Sequence, residues 1–138
     1  MAYWLIKSEP FKWAWDQHVA KGADQWDGVR NYQARNFMRA MQVGDQAFFY
    51  HSNEGLEIVG ISEVVAESHP DTTDDTGKWE CVDFKAVRPF VRPVTRNEIK
   101  AHPDLQDMVL VKNSRLSVQP VTDREWQIIC ALGETDPS

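Results

Sequence analysis

The sequence predicts an α+β fold, a small mixed β-barrel of about five to six strands, closed or half-closed, with flanking helices. Three observations predict it. Short aromatic and β-branched runs recur along the chain with turn residues between them. One amphipathic stretch and two helix-opening Thr-x-x-Glu boxes fall between those runs. No βαβ rhythm and no internal repeat is present, which argues against a doubly wound parallel sheet. The 138 residues suit one domain, residues 1–138, and 42% hydrophobic content is enough to bury a core.

Tyr3-Trp4-Leu5-Ile6 reads as the first strand, ended by Ser8-Glu9-Pro10. Phe11 to Gly22 reads as a short Trp-rich helical segment with Gly22 as its stop. From Ala34 the apolar residues Ala34, Phe37, Met38 and Met41 fall at i, i+3, i+4 and i+7, the stripe of an amphipathic helix. Gly44-Asp45 turns the chain into an aromatic strand, Gln46 to Tyr50. After a turn at Ser52 to Gly55, Leu56 to Val65 forms the next strand, with Gly60 as a bulge. His69 to Lys78 is a polar, acidic loop. Trp79 to Val87 alternates, with Val82, Phe84 and Ala86 on one side and Asp83 and Lys85 on the other. Thr95-Arg96-Asn97-Glu98 and Thr122-Asp123-Arg124-Glu125 each open a helix. In the second of these, Trp126, Ile129 and Cys130 share one face. Ser114 to Val121 is read as a strand between them, and residues 134–138 are expected to fray.

The net charge of −6 argues against a protein that coats nucleic acid without specificity. The charge is uneven, however. Gly28 to Met41 holds Arg30, Arg35 and Arg39 and no acid, and Lys85 to Lys100 adds five cations against Glu98 alone. Scattered solvated charge and a convergent basic face both fit this pattern. Cys81 and Cys130 form no CxxC and have no histidine at ligand spacing, so no metal site is expected and both read as buried thiols. Lys7, Glu9 and Lys12 interrupt the first apolar run, which argues against a signal peptide, and no run of about 18 apolar residues offers a membrane span. The expectation is a cytoplasmic monomer with no cofactor and no membrane partner.

The stretch Trp26 to Phe37 concentrates flat, polar side chains: an indole, two arginines and two asparagines around Gly28. Such a set suits a nucleobase on a phosphate backbone. Asn31, Arg35 and Arg39 lie at i, i+4 and i+8 and form a polar row. Arginine offers a planar fork to phosphate or a base edge, and asparagine a donor and an acceptor. A solvated helix face is the plainer reading, and it is favoured for Arg39. Trp26 reads equally as a stacking surface or as a core anchor; Trp4, Trp79 and Trp126 read as core. Tyr50-His51-Ser52 and Lys7-Ser8-Glu9 each close a strand, where ligand contacts are held in fixed positions. His51 could act as acid or base or serve structure alone. No G-x-S-x-G, P-loop or G-x-G-x-x-G is present, so no catalytic residue is assigned.

The chain also resembles the EVE-domain family. The matching pieces are Trp4 to Pro10, Trp26 to Asn31 with Ala34-Arg35-Asn36, Gly44-Asp45 with Phe48 to Ser52, Gly60-Ile61, Pro70-Asp71 and Ser114 to Val118. They run in order over about residues 3 to 132. The resemblance implies a PUA-like fold, related to the YTH domains that read methylated adenine in RNA. It implies a pocket that reads a modified base, notably modified cytosine in DNA or a modified base in RNA. By position, Lys7, Ser8 and Glu9 would line it, with Trp26, Gly28, Val29, Arg30 and Asn31 as the central loop. Tyr50, His51 and Ser52 would form a wall, and Arg115 and Ser117 would close it.

In that reading the base is flipped into the pocket, Trp26 stacks on it, and Ser8, Asn31 and Ser52 bond its edge. Arg30, Arg35 and Arg115 would meet flanking phosphates. Convergence of Trp26, Asn31, Tyr50 and Arg115 on one cavity is its geometric requirement. The alternative is a hydrolase of modified nucleosides, as in some related ASCH domains, with Lys7, Glu9 and His51 as acid–base groups. A small-molecule or protein-interaction module is a third reading.

Overall fold

The aromatic strand is apolar at successive positions because both of its faces are covered. In a computed structural model describing residues 2–137, β3 (Gln46–His51) lies between two others. It pairs in parallel with β1 (Tyr3–Ser8), from Tyr3 opposite Gln46 to Ser8 opposite His51. A parallel pair needs a long crossover. Here α1 (Trp15–Lys21), β2 (Ala23–Gln25) and α2 (Tyr32–Ala40) supply it. On its other side β3 pairs antiparallel with β4 (Glu57–Pro70), which pairs antiparallel with β5 (Glu80–Thr95). Then come α3 (Arg96–Ala101), a 3-10 turn at Pro103–Leu105, α4 (Val109–Lys112), β6 (Val118–Val121) and α5 (Asp123–Leu132). The six strands run in the order β2-β5-β4-β3-β1-β6. The end strands β2 and β6 do not pair with one another, so the barrel stays open along that side.

Two apolar clusters lie on the two faces. Leu5 and Phe48 enter one cluster, under Ile99, Leu110, Trp126 and Ile129. Trp4, Ile6, Ala47 and Phe49 enter the other, under Trp15, Trp26, Ala34 and Met38. This is the period-two alternation of a strand, with both faces buried. In the first cluster the Trp126 ring stacks on Phe48 (centroids 4.0 Å apart) and on Tyr3 (4.3 Å). Both Thr capping boxes form as expected, with Thr95 and Thr122 accepting from the backbone N–H of Glu98 and Glu125.

Gly60 sits where the register slips: Phe49 faces Gly60, but Tyr50 faces Ile58, leaving Val59 as the extra residue. A Cβ at Gly60 would stand 2.5 Å from the Trp15 indole. Gly60→Ala is therefore expected to cost about 1–3 kcal/mol through overpacking. A urea midpoint unchanged from the parent protein would rule this out.

Several elements differ from the sequence reading. Helix α1 begins at Trp15, not Phe11, because Lys12 and Trp13 donate their N–H groups to the Glu9 carbonyl and close a separate turn. β2 and α4 were not anticipated. β5 runs on to Thr95 through Pro89 and Pro93, since slips in its ladder with β4 absorb residues that cannot donate. β6 starts only at Val118. Near the C-terminal end, Thr135 N–H donates to the Cys130 carbonyl (2.9 Å), and the Pro137 carbonyl accepts from Trp126 Nε1 (3.0 Å). Ser138 lies outside the described residues.

Candidate functional site

The loop from Trp26 to Asn31 is held by one acid, Asp71, at the end of β4. Gly28 takes φ 77°, a left-handed conformation glycine enters without steric penalty, and donates its N–H to Asp71 Oδ2 at 2.8 Å. Arg30 Nη1 reaches the same oxygen at 3.0 Å. The other oxygen accepts from the Thr73 backbone N–H (2.7 Å) and hydroxyl (2.6 Å). Burial alone would push the Asp71 carboxyl up; these donors from Thr73, Gly28 and Arg30 outweigh it and hold it down at about 2. Asp71 is 2% exposed, so the clamp is interior.

The clamped loop walls a cleft of about 500 Å³ at the end of β1. Lys7, Ser8, Glu9, Lys12 and Trp13 line it together with Asp24 to Arg30 and Ser117. Trp26 is 8% exposed and wedged edge-on against Phe49, Phe84 and His18. It is floor, not a free platform. Trp13 is half-buried and is the other indole lining the cleft. Its turn is fixed by the Ser8 hydroxyl, which donates to the Trp13 carbonyl. Carboxylates of Glu9, Asp24 and Asp27 stand among the cations Lys7, Lys12 and Arg30. Burial, then the neighbouring Asp71 and Asp24, pushes the Asp27 carboxyl up. The cleft thus offers an aromatic surface with both acceptors and donors.

The four residues required to converge do not. Trp26 lines this cleft, but Tyr50 and Ser52 line a smaller one beside it, about 140 Å³, with Lys7, Asn53, Leu56, Arg96, Leu110 and Ser114. Lys7 is the residue common to both. Its Nζ donates to the Ser114 carbonyl, and burial, with Arg96 nearby, lowers it to about 8. Asn31 lines neither cleft; its side-chain oxygen caps α2 by accepting from Ala34 N–H at 2.9 Å. Arg115 is exposed and also lines neither. His51 Nε2 accepts from Trp15 N–H at 3.1 Å, and burial lowers its pKa despite Glu57 and Asp16. Arg35 donates to the Lys78 carbonyl (3.0 Å) and lies over the Tyr32 ring (4.8 Å). Trp79 is stacked on Tyr32 and half-buried, not core.

Several cations of the basic stretches are neutralised in place, Arg30 by Asp71 among them. Arg39 pairs with Glu80, Lys85 with Glu63 and Arg92 with Glu98. Sequence reasoning missed Lys12, Trp13, Asp24, Gln25 and Asp27 in the cleft, and the clamp Asp71. Among the described residues, no group of three or more His, Cys, Asp or Glu is placed to hold a metal ion, and no helix is long and apolar enough to cross a membrane.

This open mixed sheet with flanking helices is a PUA-like α+β fold. The chain belongs to the EVE family: the EVE domain model matches residues 2–132. It is similar to a protein of Agrobacterium tumefaciens (56% identity, TM-score 0.96, covering 98% of this chain and 94% of that one). Human thymocyte nuclear protein 1 is 36% identical over 99% of this chain and 76% of that protein. The structure of human THYN1 in complex with 5-methylcytosine-containing DNA superposes with a TM-score of 0.91, over 99% of this chain and all of that one. A YTH domain from Zygosaccharomyces rouxii, solved with N6-methyladenosine RNA, shares the fold at 17% identity and TM-score 0.59, covering 96% of this chain and 86% of that one.

Proposed function

We propose that this protein is a nucleic-acid-binding module that reads one modified base, flipped out of its strand, in the cleft at the end of β1. The cleft itself carries the reading: two indoles, three carboxylates and three cations surround about 500 Å³. Similarity to THYN1, solved with DNA containing 5-methylcytosine, supports it. A flipped base must recover a few kcal/mol of lost stacking. Trp13, half-buried on the cleft wall, is the stacking partner, worth about 1–3 kcal/mol. Trp26 forms the floor beneath. Glu9, Asp24 and Asp27 accept from an exocyclic amino group, the pairing that carboxylates make with cytosine N4. Modified cytosine in DNA is the favoured base, with a modified RNA base as the alternative.

Binding, not turnover, is the proposed activity. Each of the three groups weighed for acid–base chemistry has a partner within the protein: Lys7 bonds Ser114, Glu9 pairs with Lys12 at 3.3 Å, and His51 accepts from Trp15. The two free buried cysteines suit a reducing compartment, in keeping with a cytoplasmic location.

Anisotropy titrations with DNA and RNA oligonucleotides, with and without 5-methylcytosine, test the proposal. Burying the methyl group at ~0.8 kcal/mol should favour the modified DNA about fourfold. Trp13→Ala should weaken binding about tenfold through lost stacking while circular dichroism stays unchanged. Equal or absent binding of modified and unmodified strands at physiological salt defeats the reading.

A further inference from the structure

We infer that the smaller cleft is an oxyanion site, holding a phosphate of the strand whose base enters the larger one. Lys7 and Arg96 line it together with the hydroxyl-bearing side chains of Tyr50, Ser52 and Ser114, and no carboxylate lines it. Arg30, Arg39, Lys85 and Arg92, by contrast, each have an acid within ion-pairing distance. Among the described residues Arg96 has no carboxylate within 4.0 Å, and its Nε is buried without a hydrogen-bond partner. Two confined cations that repel one another are an unfavourable arrangement until an anion joins them. The planar guanidinium, the ammonium and the hydroxyls are the donors an oxyanion takes. The volume, about 140 Å³, equals that of about four to five waters at ~30 Å³ each, room for one tetrahedral anion and little more.

The link to the strand is Lys7, which stands in the wall of both clefts. A nucleotide placed in the larger cleft therefore has its backbone within reach of the smaller. This step rests on the base-reading proposal; the anion site does not.

The test uses sulfate as the probe, followed by ¹⁵N NMR on the folded protein with ionic strength held constant by chloride. Saturable shifts are expected at the Ser52 and Asn53 amides, together with a change in the Arg96 side-chain Nε–H resonance. Arg96→Gln should weaken sulfate binding tenfold or more. The backbone N–H of Arg96 stays bonded to the Leu56 carbonyl at 2.8 Å, so α3 keeps its place. Arg96→Lys, which keeps the charge, should retain most of the affinity. With an oligonucleotide bearing 5-methylcytosine, Arg96→Gln should reduce the salt slope by about one and weaken methylated and unmethylated strands alike. Saturating oligonucleotide should displace sulfate.

Absence of saturable sulfate shifts overturns the site, as does an Arg96→Gln protein with unchanged sulfate affinity and salt slope. Sulfate that remains bound beside saturating oligonucleotide overturns its assignment to the strand. Loss of methyl discrimination with the sulfate and Arg96 results intact upholds the anion site and defeats only the base-reading proposal.

Discussion

Trp26→Ala is expected to cost about 3–5 kcal/mol of stability, the range for deleting a buried large aromatic. Trp26 was read as either a stacking platform or a core anchor, and its surroundings favour the second. It is 8% exposed, its ring meets Phe49 and Phe84 with centroids 5.7 Å apart in each case, and its backbone N–H donates to the Val82 carbonyl at 2.8 Å. A loss of that size consumes a large fraction of the stability of a domain this small. Lost oligonucleotide binding in the alanine variant would then report unfolding, not lost stacking. Trp26→Phe separates the two, because it preserves most of the apolar contact. Urea unfolding of both variants, with affinity measured only where each is fully folded, is the measurement. A Trp26→Ala protein with the parent midpoint would remove Trp26 from the core account.

Asp71→Asn should lower stability by on the order of 2 kcal/mol and loosen the cleft. Its carboxyl is held at about 2, below the 3.8 of an unperturbed aspartate. A depressed folded-state pKa stabilises at pH above the unfolded value and loses that contribution as pH falls towards the folded one. The shift of nearly two units corresponds to about 2 kcal/mol, present above about pH 4 and lost towards pH 2. An amide in its place keeps the shape and loses the charge. Its NH₂ must also replace one of the two acceptor oxygens, facing either the Gly28 N–H or the Thr73 N–H and leaving that donor unsatisfied. The parent protein should therefore lose this increment between pH 4 and pH 2, and the variant should lack it. Parallel denaturation curves for the two proteins across that window would disprove the clamp.

Local patterns made much of the fold legible. The aromatic run of β3, the two Thr boxes and the slip at Gly60 each carry their signal within a few residues. β2 carries none: Ala23, Asp24 and Gln25 form a strand only because β5 lies beside them. Asp71 is one acid in an acidic loop, and the groups it organises lie more than forty residues earlier in the chain. Trp13 looks like any tryptophan in a turn until Ser8 fixes that turn from the end of β1. Asn31 illustrates the opposite error. Its residue type suits a base edge, but the same carboxamide suits a helix N-cap, and the nearer partner takes it. Motif order pointed to Lys7, Ser8, Glu9 and the Trp26 to Arg30 loop, all of which line the larger cleft. It could not show that Tyr50 and Ser52 face a different one.

The sheet order has a kinetic consequence. β1 is bonded on one side to β3 and on the other to β6, with Tyr3 opposite Val121. The first strand therefore cannot be enclosed until residue 121 has left the ribosome, whereas the antiparallel β3, β4 and β5 can zip together as they emerge. Pairings of such sequence separation close late and slow folding. During synthesis the apolar residues of β1 remain uncovered on one edge, a window in which a chaperone that holds extended apolar segments would find its substrate.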